Sequence, residues 1–338
     1  MGKALGFDLG SAYTALCFQD EKDIKMMASA IALSKKEKLI KASGNEAKSM
    51  IGRAPSTIAI ERPIKSGYVD DVTTAALLIT EILRKTENAS VFKKTEAVAT
   101  IPYAASKNDE RALYAAFEES GITTLDFVET PLAIALGAGM PADMSKGIMV
   151  VDAGAGQISS SIISHGGVVS SSETKFGGDA MTEAVASYIA EAHGIELGEL
   201  TAELVKIKLG TLSHSTPQKS VKVCGRVAAG KNAMHGNKFT SSAVINSHEL
   251  IPVLTPLADR IIESINAALK ETPPDIASDI ADFGILLSGG CAAMPGLSTY
   301  VEKALKIKVT TTKAPAYDAI RGILRVVNGG RAYAKFTK

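Results

Sequence analysis

The chain has 338 residues, of which 46% are hydrophobic and 22% charged, and its formal net charge is +1. This length suffices for two domains with buried cores, and the near-neutral charge argues against a nucleic-acid partner. Three separated cysteines and five histidines without ligand spacing favour a reduced, cytoplasmic protein without disulfide or His/Cys metal sites. No apolar run approaches the ~20 residues that a membrane helix needs.

The first predicted element is a β-hairpin with an aspartate near its tip. Residues 4–7 are mostly apolar and lead to Asp8, a turn follows at Gly10 and Ser11, and an apolar segment returns to Phe18. Glycine lets backbone N–H groups approach an anion closely, and the aspartate is placed to hold a hydrated cation beside it. A single hairpin of this kind is more often only a turn.

The segment after this hairpin is predicted to be less regular. We expect a strand over 24–33 and a short irregular stretch over 41–51. Pro55, Pro63 and Gly67 then punctuate a loop region.

An alternation of helices and strands follows. Asp71 can cap a helix over 72–85, and residues 95–101 alternate as in a strand. Ser106 and Asp109 have the spacing of a capping box. The remaining elements here are a helix to Ser120, a strand over 125–128 and a helix over 131–136. This alternation is typical of an α/β protein with helices beside a sheet.

A second copy of the hairpin lies in the middle of the chain. Residues 148–151 are apolar and lead to Asp152, a glycine turn occupies 154–156, and the returning strand folds back at 165–167. Asp8 and Asp152 would therefore have equivalent places in two similar half-molecules, as in an internal repeat. Two such hairpins facing each other across a cleft would grip a nucleoside triphosphate from both sides.

The rest of the chain continues the alternation. The predicted helices cover 180–192, 202–209, 252–270, 295–305 and 317–327, and Gly194 is expected to stop the first of them. The predicted strands lie near 219–223, 239–245 and 283–287. The turn at 288–290 is a further nucleotide contact point, although taken alone it would only be the start of a helix. Residues 328–338 are predicted to be loose.

Taken in order, these motifs resemble those of the actin-like ATPase superfamily. They are the two Asp-x-Gly hairpins, Gly-Gly-Asp at 177–179, Ala-Glu-x-x-Lys at 202–206 and Ser-Gly-Gly at 288–290. The segments similar to the rod-shape bacterial actins (MreB) are 50–55, 62–67, 177–184 and 203–210, and 317–324 is similar to the magnetosome actin MamK. The resemblance covers nearly the whole chain. It implies an actin-like α/β fold, with two related halves around a nucleotide cleft and a smaller subdomain in each half.

The resemblance also implies domain boundaries. The first half would cover 1–143, with its small subdomain near 30–65. The second would cover 144–312, with its small subdomain near 176–246. Residues 313–338 would form a C-terminal helix that returns to the first half, followed by a loose tail.

A site for ATP and Mg²⁺ is implied by the same resemblance. Asp8 and Asp152 would hold the cation through water, because Mg²⁺ dehydrates reluctantly. Glu203 and Lys206, one helical turn apart, would reach the ribose and base, although alone they would indicate only a surface ion pair. The other nucleotide contacts would come from Gly10, Ser11, Ala12, Tyr13, Gly154, Ala155, Gly156, Gly178, Gly289, Gly290 and Ala292.

Departures from the family pattern fall on the hydrolytic groups. The second hairpin of the family carries Gly-Thr-Thr followed by an acid, where this chain has Gly-Gln-Ile-Ser at 156–159. The family's water-positioning Glu, which precedes a proline, is replaced by Thr130, and Tyr13 stands where Asn or His is common. Glu129 should point to the opposite side of its extended segment, whereas the Gln157 amide could orient the water. We therefore predict ATP binding with slow hydrolysis.

The sequence thus predicts a cytoplasmic, ATP-binding bacterial actin that polymerises with itself. A small-molecule kinase of the same fold and a non-polymerising nucleotide sensor are the alternatives. Val91 and Phe92, flanked by lysines, stand where rod-shape proteins carry a membrane-touching loop, so a filament could contact the inner face of a membrane. Packing of this pair under its own domain is an equal alternative. The cargo, whether cell wall, organelle or plasmid, is not encoded in the fold.

Overall fold

The computed structural model describes residues 4–86, 96–141, 145–229, 239–329 and 333–338. Within these ranges the strands are β1 (Leu5–Leu9), β2 (Tyr13–Phe18), β3 (Ile24–Ala28), β4 (Ile31–Ser34), β5 (Ile40–Ser43), β6 (Ile58–Glu61), β7 (Ile64–Lys65), β8 (Tyr68–Val69), β9 (Glu96–Ile101), β10 (Thr124–Glu129), β11 (Ile148–Ala153), β12 (Ile158–Ser164), β13 (Gly167–Thr174), β14 (Ile195–Glu196), β15 (Ser220–Val227), β16 (Thr240–Asn246), β17 (Ile285–Ser288) and β18 (Val309–Thr310). The helices are α1 (Asn45–Ser49), α2 (Val72–Arg84), α3 (Lys107–Glu119), α4 (Thr130–Gly137), α5 (Gly178–His193), α6 (Glu199–Leu209), α7 (Ile251–Lys270), α8 (Pro274–Phe283), α9 (Leu297–Leu305) and α10 (Asp318–Gly329).

Two five-stranded sheets repeat one topology. Their strand orders are β10-β9-β1-β2-β3 and β18-β17-β11-β12-β13. In each sheet the central strand pairs antiparallel with its hairpin partner and parallel with a later strand: β1 with β2 and β9, and β11 with β12 and β17. The repeat predicted from two short hairpins therefore extends over two whole sheets.

Two smaller sheets lie within the regions predicted as small subdomains. Their strand orders are β5-β4-β6 and β14-β15-β16. The domain boundaries themselves stay a prediction.

Helices α4 and α10 pack between the two large sheets. They share one hydrophobic cluster with Ala15 and Cys17 of β2, Val150 of β11 and Leu286 of β17. Because this cluster takes side chains from both sheets, it joins them at the bottom of the cleft.

The two helices meet backbone to backbone. A Cβ atom at Gly322 of α10 would overlap the Ala133 carbonyl oxygen of α4, and one at Gly137 would overlap the Asp318 carbonyl oxygen. Glycine is therefore required at both positions by close approach. Thr130 is the first residue of α4 and Asp318 the first of α10, so this contact lies directly behind the cleft.

The predicted helix caps are confirmed. The Asp71 side chain accepts a hydrogen bond from the Thr74 N–H at 2.7 Å, and Ser106 and Asp109 form a capping box at the start of α3. Gly194 ends α5 with a left-handed φ of 66°.

Several predictions in the first half are wrong in detail. The strand expected over 24–33 is two strands, β3 and β4, which belong to different sheets. The chain turns between them at Ser29, whose N–H donates to the Ala12 carbonyl at 3.0 Å. The stretch over 41–51 contains most of β5 and all of α1, and the expected loop after it contains β6, β7 and β8.

Two predictions in the second half are also wrong. Phe283 does not start a strand: it ends α8, a helix that the sequence analysis missed, and is 42% exposed. In the described part of the tail, Phe336 is buried and Thr337 forms a β-bridge with Val128 of β10. These residues are therefore packed, not loose.

Val91 and Phe92, predicted to contact a membrane, lie outside the described residues. No helix in the described ranges is long and apolar enough to cross a membrane.

Candidate functional site

A cavity of about 460 Å³ lies between the two hairpins. Of the predicted site residues, those that line it are Asp8, Gly10, Ser11, Ala12, Tyr13, Thr130, Asp152, Gly154, Ala155, Gly156, Gln157, Gly178, Glu203, Lys206, Gly289 and Gly290. The fold thus brings residues from the beginning, middle and end of the chain around one cavity. Their contacts with a ligand stay a prediction.

The two hairpin turns share one backbone geometry. The Gly10 N–H donates to the Tyr13 carbonyl, and the Gly154 N–H donates to the Gln157 carbonyl, both at 3.0 Å. A Cβ at Gly10 would lie 2.7 Å from the Tyr13 carbonyl oxygen, too close for any real side chain. Glycine therefore allows the sharp turn that carries the backbone past the cavity.

The two aspartates are half-buried, each one residue before the end of its strand, β1 or β11. Burial raises the pKa of Asp8, and a 2.8 Å hydrogen bond from the Thr100 hydroxyl partly offsets this. Burial also raises the pKa of Asp152, to about 7, and the charges of Asp8, Asp318 and Glu173 contribute to this shift. Both carboxylates are thus held where the negative form is unfavourable without a nearby positive charge.

The loop after β17 approaches the second hairpin closely. Gly289 has a φ of 82°, and a Cβ there would overlap the Asp152 Oδ1 atom. The preceding residue, Ser288, donates its hydroxyl to Asp318 Oδ2 at 2.9 Å. Asp318 also accepts a hydrogen bond from Thr312 at 2.8 Å, and its burial raises its pKa. Because a side chain at position 289 would overlap Asp152, Gly289 is needed for this loop to pack against the second hairpin.

A tight turn between β7 and β8 touches both hairpins, and the sequence analysis treated it only as loop. The Ser66 hydroxyl donates to the Gly156 carbonyl at 2.9 Å, and the Gly67 N–H donates to the Ser11 hydroxyl at 3.2 Å. Both turn residues have positive φ, 50° for Ser66 and 76° for Gly67. The Ser-Gly pair at 66–67 was the sequence signal from which this turn could have been predicted.

Ion pairs cross the mouth of the cleft. Lys48 of α1 lies 2.8 Å from Glu203 of α6, and Arg62 pairs with Glu199 at the start of α6. The Lys48 ammonium also lies 5.0 Å from the centre of the Tyr13 ring. Sequence reasoning missed these pairs because the partners are 155 and 137 positions apart.

Lys206 has partners other than Glu203. Its ammonium donates to the Gly178 carbonyl at 2.6 Å and to the Thr182 hydroxyl at 2.8 Å. It therefore fixes the first turn of α5 while lining the cavity. Glu203 and Lys206 therefore do not form the simple surface ion pair that their spacing alone would indicate: Glu203 pairs with Lys48, and Lys206 bonds to α5.

Two predicted site residues do not line the cavity. Glu129 instead pairs with the Lys338 ammonium at 2.6 Å, whereas Thr130 beside it does line the cavity. Ala292 lies in the 3₁₀ turn Gly290–Ala293 and is packed into the core, with its neighbour Cys291 on the cavity wall.

The cavity wall away from the two aspartates is mostly apolar. It is formed by Ile207 and Gly210 at the end of α6 and by Met294 and Pro295 before α9. The sequence analysis did not predict these residues, which carry no motif of their own.

The repeated sheets, the facing hairpins and the cleft between them define an actin-like fold. The chain superimposes on MreB5 of Spiroplasma citri with a TM-score of 0.88, at 24% identity over 95% of each chain. It superimposes on MamK from a double helical filament with a TM-score of 0.77, at 22% identity over 96% of this chain and 98% of that one.

The MreB/Mbl protein family model matches residues 2–335. The cell shape-determining protein MreB of Escherichia coli K12 is 30% identical over 333 residues, 97% of this chain and 92% of the relative. The chain belongs to the MreB/Mbl family.

Proposed function

We propose that this protein binds ATP with Mg²⁺ in the cavity and polymerises into cytoskeletal filaments that serve cell shape or organelle positioning. The observation that carries the proposal is the facing pair of hairpins, each with a half-buried carboxylate near the end of its first strand. Related proteins support it: MreB5 has been crystallised with ADP and with AMPPNP, and MamK forms a double helical filament. The E. coli relative is named as a cell shape-determining protein.

The donor chemistry of the site fits a magnesium ion. Asp8 and Asp152 offer carboxylate oxygens, which hard cations prefer, and a nearby cation would relieve the unfavourable burial of both charges. Because Mg²⁺ gives up its water reluctantly, we assign the two aspartates to the water shell of the ion.

The remaining cavity residues match the parts of a nucleotide. The Gly10 and Gly154 N–H groups close the two turns, so the N–H groups at 11–12 and 155–156 are the ones offered to the phosphates. The apolar wall formed by Ile207, Met294 and Pro295 suits a purine ring, with Glu203 beside the ribose.

Hydrolysis of the bound ATP is proposed to be slow. Attack on the γ-phosphate needs an oriented water, and positioning supplies much of the rate of phosphoryl transfer. Thr130 is short and cannot act as a base, while Glu129 is held by Lys338 outside the cavity. The Gln157 amide is the group that remains to orient water.

Light scattering and negative-stain microscopy, with and without ATP and Mg²⁺, test the proposal. Filaments should form with ATP and Mg²⁺, and Asp152→Ala should weaken both nucleotide retention and assembly. Asp282→Ala, which removes an exposed carboxylate from α8, is the control for nucleotide retention. Nucleotide binding without polymer would favour the nucleotide sensor, and phosphate transfer to a small molecule would favour the kinase. Unchanged nucleotide binding and polymer yield in Asp152→Ala would contradict the proposal that the two hairpins form the nucleotide site.

Contact of such filaments with the cytoplasmic face of a membrane is a separate proposal, supported only by the apolar pair Val91 and Phe92 between lysines. One such pair buries too little area to anchor a monomer, so binding would need many subunits. Filaments should sediment with anionic liposomes, and Phe92→Ser should reduce the sedimented fraction. Undiminished sedimentation of the variant would assign the contact to another surface.

A further inference from the structure

Glu173 is a charged residue beside the cavity that the proposed function does not use. It lies on β13 opposite Ser159 of β12, and Ser159 in turn lies opposite Asp152 of β11. Residues paired in this way point to the same face of a sheet. The three side chains therefore form a row across three strands that begins at Asp152, one of the two carboxylates assigned to Mg²⁺.

Ser159, in the middle of this row, is a buried serine, and the acid stands on the neighbouring strand. One strand spacing is about 4.8 Å. The charge of Glu173 still reaches the site, because Glu173 is among the groups that raise the pKa of Asp152.

Glu173 accepts a hydrogen bond from the first half of the molecule. The Tyr68 hydroxyl of β8 donates to Glu173 Oε2 at 2.9 Å, across 105 positions of sequence. Burial and the charge of Glu173 raise the pKa of Tyr68, so the hydroxyl keeps its proton. The other carboxylate oxygen, Oε1, is buried and finds no donor among the described residues. A hydrogen bond to a charged acceptor is among the stronger ones, and Tyr68 supplies it to one oxygen of this half-buried carboxylate.

Tyr68 directly follows the Ser66–Gly67 turn that touches both hairpins. Through this turn it is connected to the Gly156 carbonyl and the Ser11 hydroxyl. The turn also lies against Gln157: a Cβ at Gly67 would be 3.2 Å from the Gln157 Nε2 atom. The turn is therefore next to the side chain assigned above to the water that attacks the γ-phosphate.

We propose that Glu173 is a positioning residue that holds the 66–68 turn through Tyr68 and thereby gives the site its preference for a triphosphate over a diphosphate. This inference rests on the nucleotide site proposed above. A diphosphate has no group at the Gln157 end of the cavity, so its binding does not depend on the spacing that the turn maintains there. Binding of the γ-phosphate does depend on this spacing, because both hairpins must contact the γ-phosphate at once.

The test compares the affinities of AMPPNP and ADP, both with Mg²⁺, for the full-length protein. Tyr68→Phe removes one oxygen atom and should weaken AMPPNP binding roughly tenfold, the loss of about 1.4 kcal/mol, while ADP binding changes less than about twofold. Tyr114→Phe is the matched control, since the Tyr114 hydroxyl of α3 donates to the Leu125 carbonyl of β10 and neither residue lines the cavity. It should leave both affinities unchanged.

Variants of Glu173 distinguish positioning from general destabilisation. Glu173→Ala should lower the preference for AMPPNP over ADP as much as Tyr68→Phe does, and the double variant should lower it no further, because both changes remove the same contact. Loss of the Glu173 charge near Asp152 acts on both nucleotides and cancels in this ratio. Glu173→Gln keeps an acceptor for the hydroxyl and should restore part of the lost preference. A structural defect would instead weaken both nucleotides together.

Two results would overturn the inference. One is an unchanged ratio of the two affinities in Tyr68→Phe, whether or not both affinities fall, and the other is additive losses of the AMPPNP preference in the double variant. If Glu173→Ala does not fold, Tyr68→Phe alone still decides. If the wild type binds neither nucleotide, the proposed function itself fails, which is distinguishable from wild-type binding with an unchanged ratio in the variants.

Discussion

The two hairpins have the same backbone but different electrostatic surroundings. Each places an aspartate at the end of its first strand and closes its turn with a 3.0 Å hydrogen bond. Asp8 has the Thr100 hydroxyl as a donor, whereas Asp152 has two further carboxylates near it, those of Asp318 and Glu173. The repeat therefore conserves geometry and not charge.

This difference assigns unequal roles to the two carboxylates. The Asp8 carboxylate is partly satisfied by protein atoms, whereas the Asp152 carboxylate depends more strongly on a cation for its charged form. We expect binding of Mg²⁺ with the nucleotide to change the environment of the second hairpin more than that of the first. Three experiments can break or sharpen this comparison.

The largest effect is expected where the second hairpin faces Thr130. Thr130→Glu would place a carboxylate where water must be oriented, and adding one positioning group should raise the hydrolysis rate ~10²-fold. Phosphate release during assembly measures this. Thr80→Glu, the same change on the exposed side of α2, should have no effect. Brisk release from the wild type, or no gain in the variant, would show that Gln157 already completes the site.

A smaller effect is expected from pH on the protein without ligand. The Asp152 pKa of about 7 lies above the ordinary 3.8, so the free energy of unfolding falls as pH rises between these values. The shift of about three pKa units sets an upper bound of about 4 kcal/mol. In EDTA, Asp152→Asn should therefore raise the Tm by a few °C at pH 8 and change it little at pH 4.5.

The matched variant at the first hairpin tests the asymmetry itself. Asp8→Asn should stabilise the ligand-free protein less, because it also weakens the hydrogen bond from Thr100. With Mg²⁺ and ATP added, both variants should be less stabilised than the wild type. Equal or greater stabilisation by Asp8→Asn in EDTA would contradict the unequal roles of the hairpins.

The smallest effect is expected at the mouth, away from both hairpins. The Lys48 and Glu203 side chains are 18% and 23% exposed, so their ion pair is partly screened by solvent. Lys48→Met should speed nucleotide release about two- to threefold at low salt and make the rate less dependent on salt. Lys41→Met, which breaks only a local pair with Glu37, is the control. An effect above tenfold would mean that the mouth, not the hairpins, retains the nucleotide.

The sequence predicted well where a local rule decides the structure. The hairpins, the Asp71 cap, the Ser106–Asp109 box and the stop at Gly194 depend on a few neighbouring residues, and each is confirmed. The order of the motifs then predicted the actin-like fold.

Features that depend on distant partners were missed. The division of 24–33 depends on a hydrogen bond from Ser29 to Ala12, and the packed tail depends on β10. The contact between Tyr68 and Glu173 joins strands of different halves, and neither residue belongs to a motif. Such contacts exist only once the halves are assembled, so a linear pattern holds no signal for them.

The crossing of α4 and α10 has a mechanical consequence. With no side chain between Gly137, Gly322 and the opposing carbonyls, neither helix can slide or tilt without a backbone clash. A relative movement of the two halves would therefore have to leave this crossing intact. We expect such a movement to break the ion pairs Lys48–Glu203 and Arg62–Glu199 at the mouth before it separates the two helices behind the cavity.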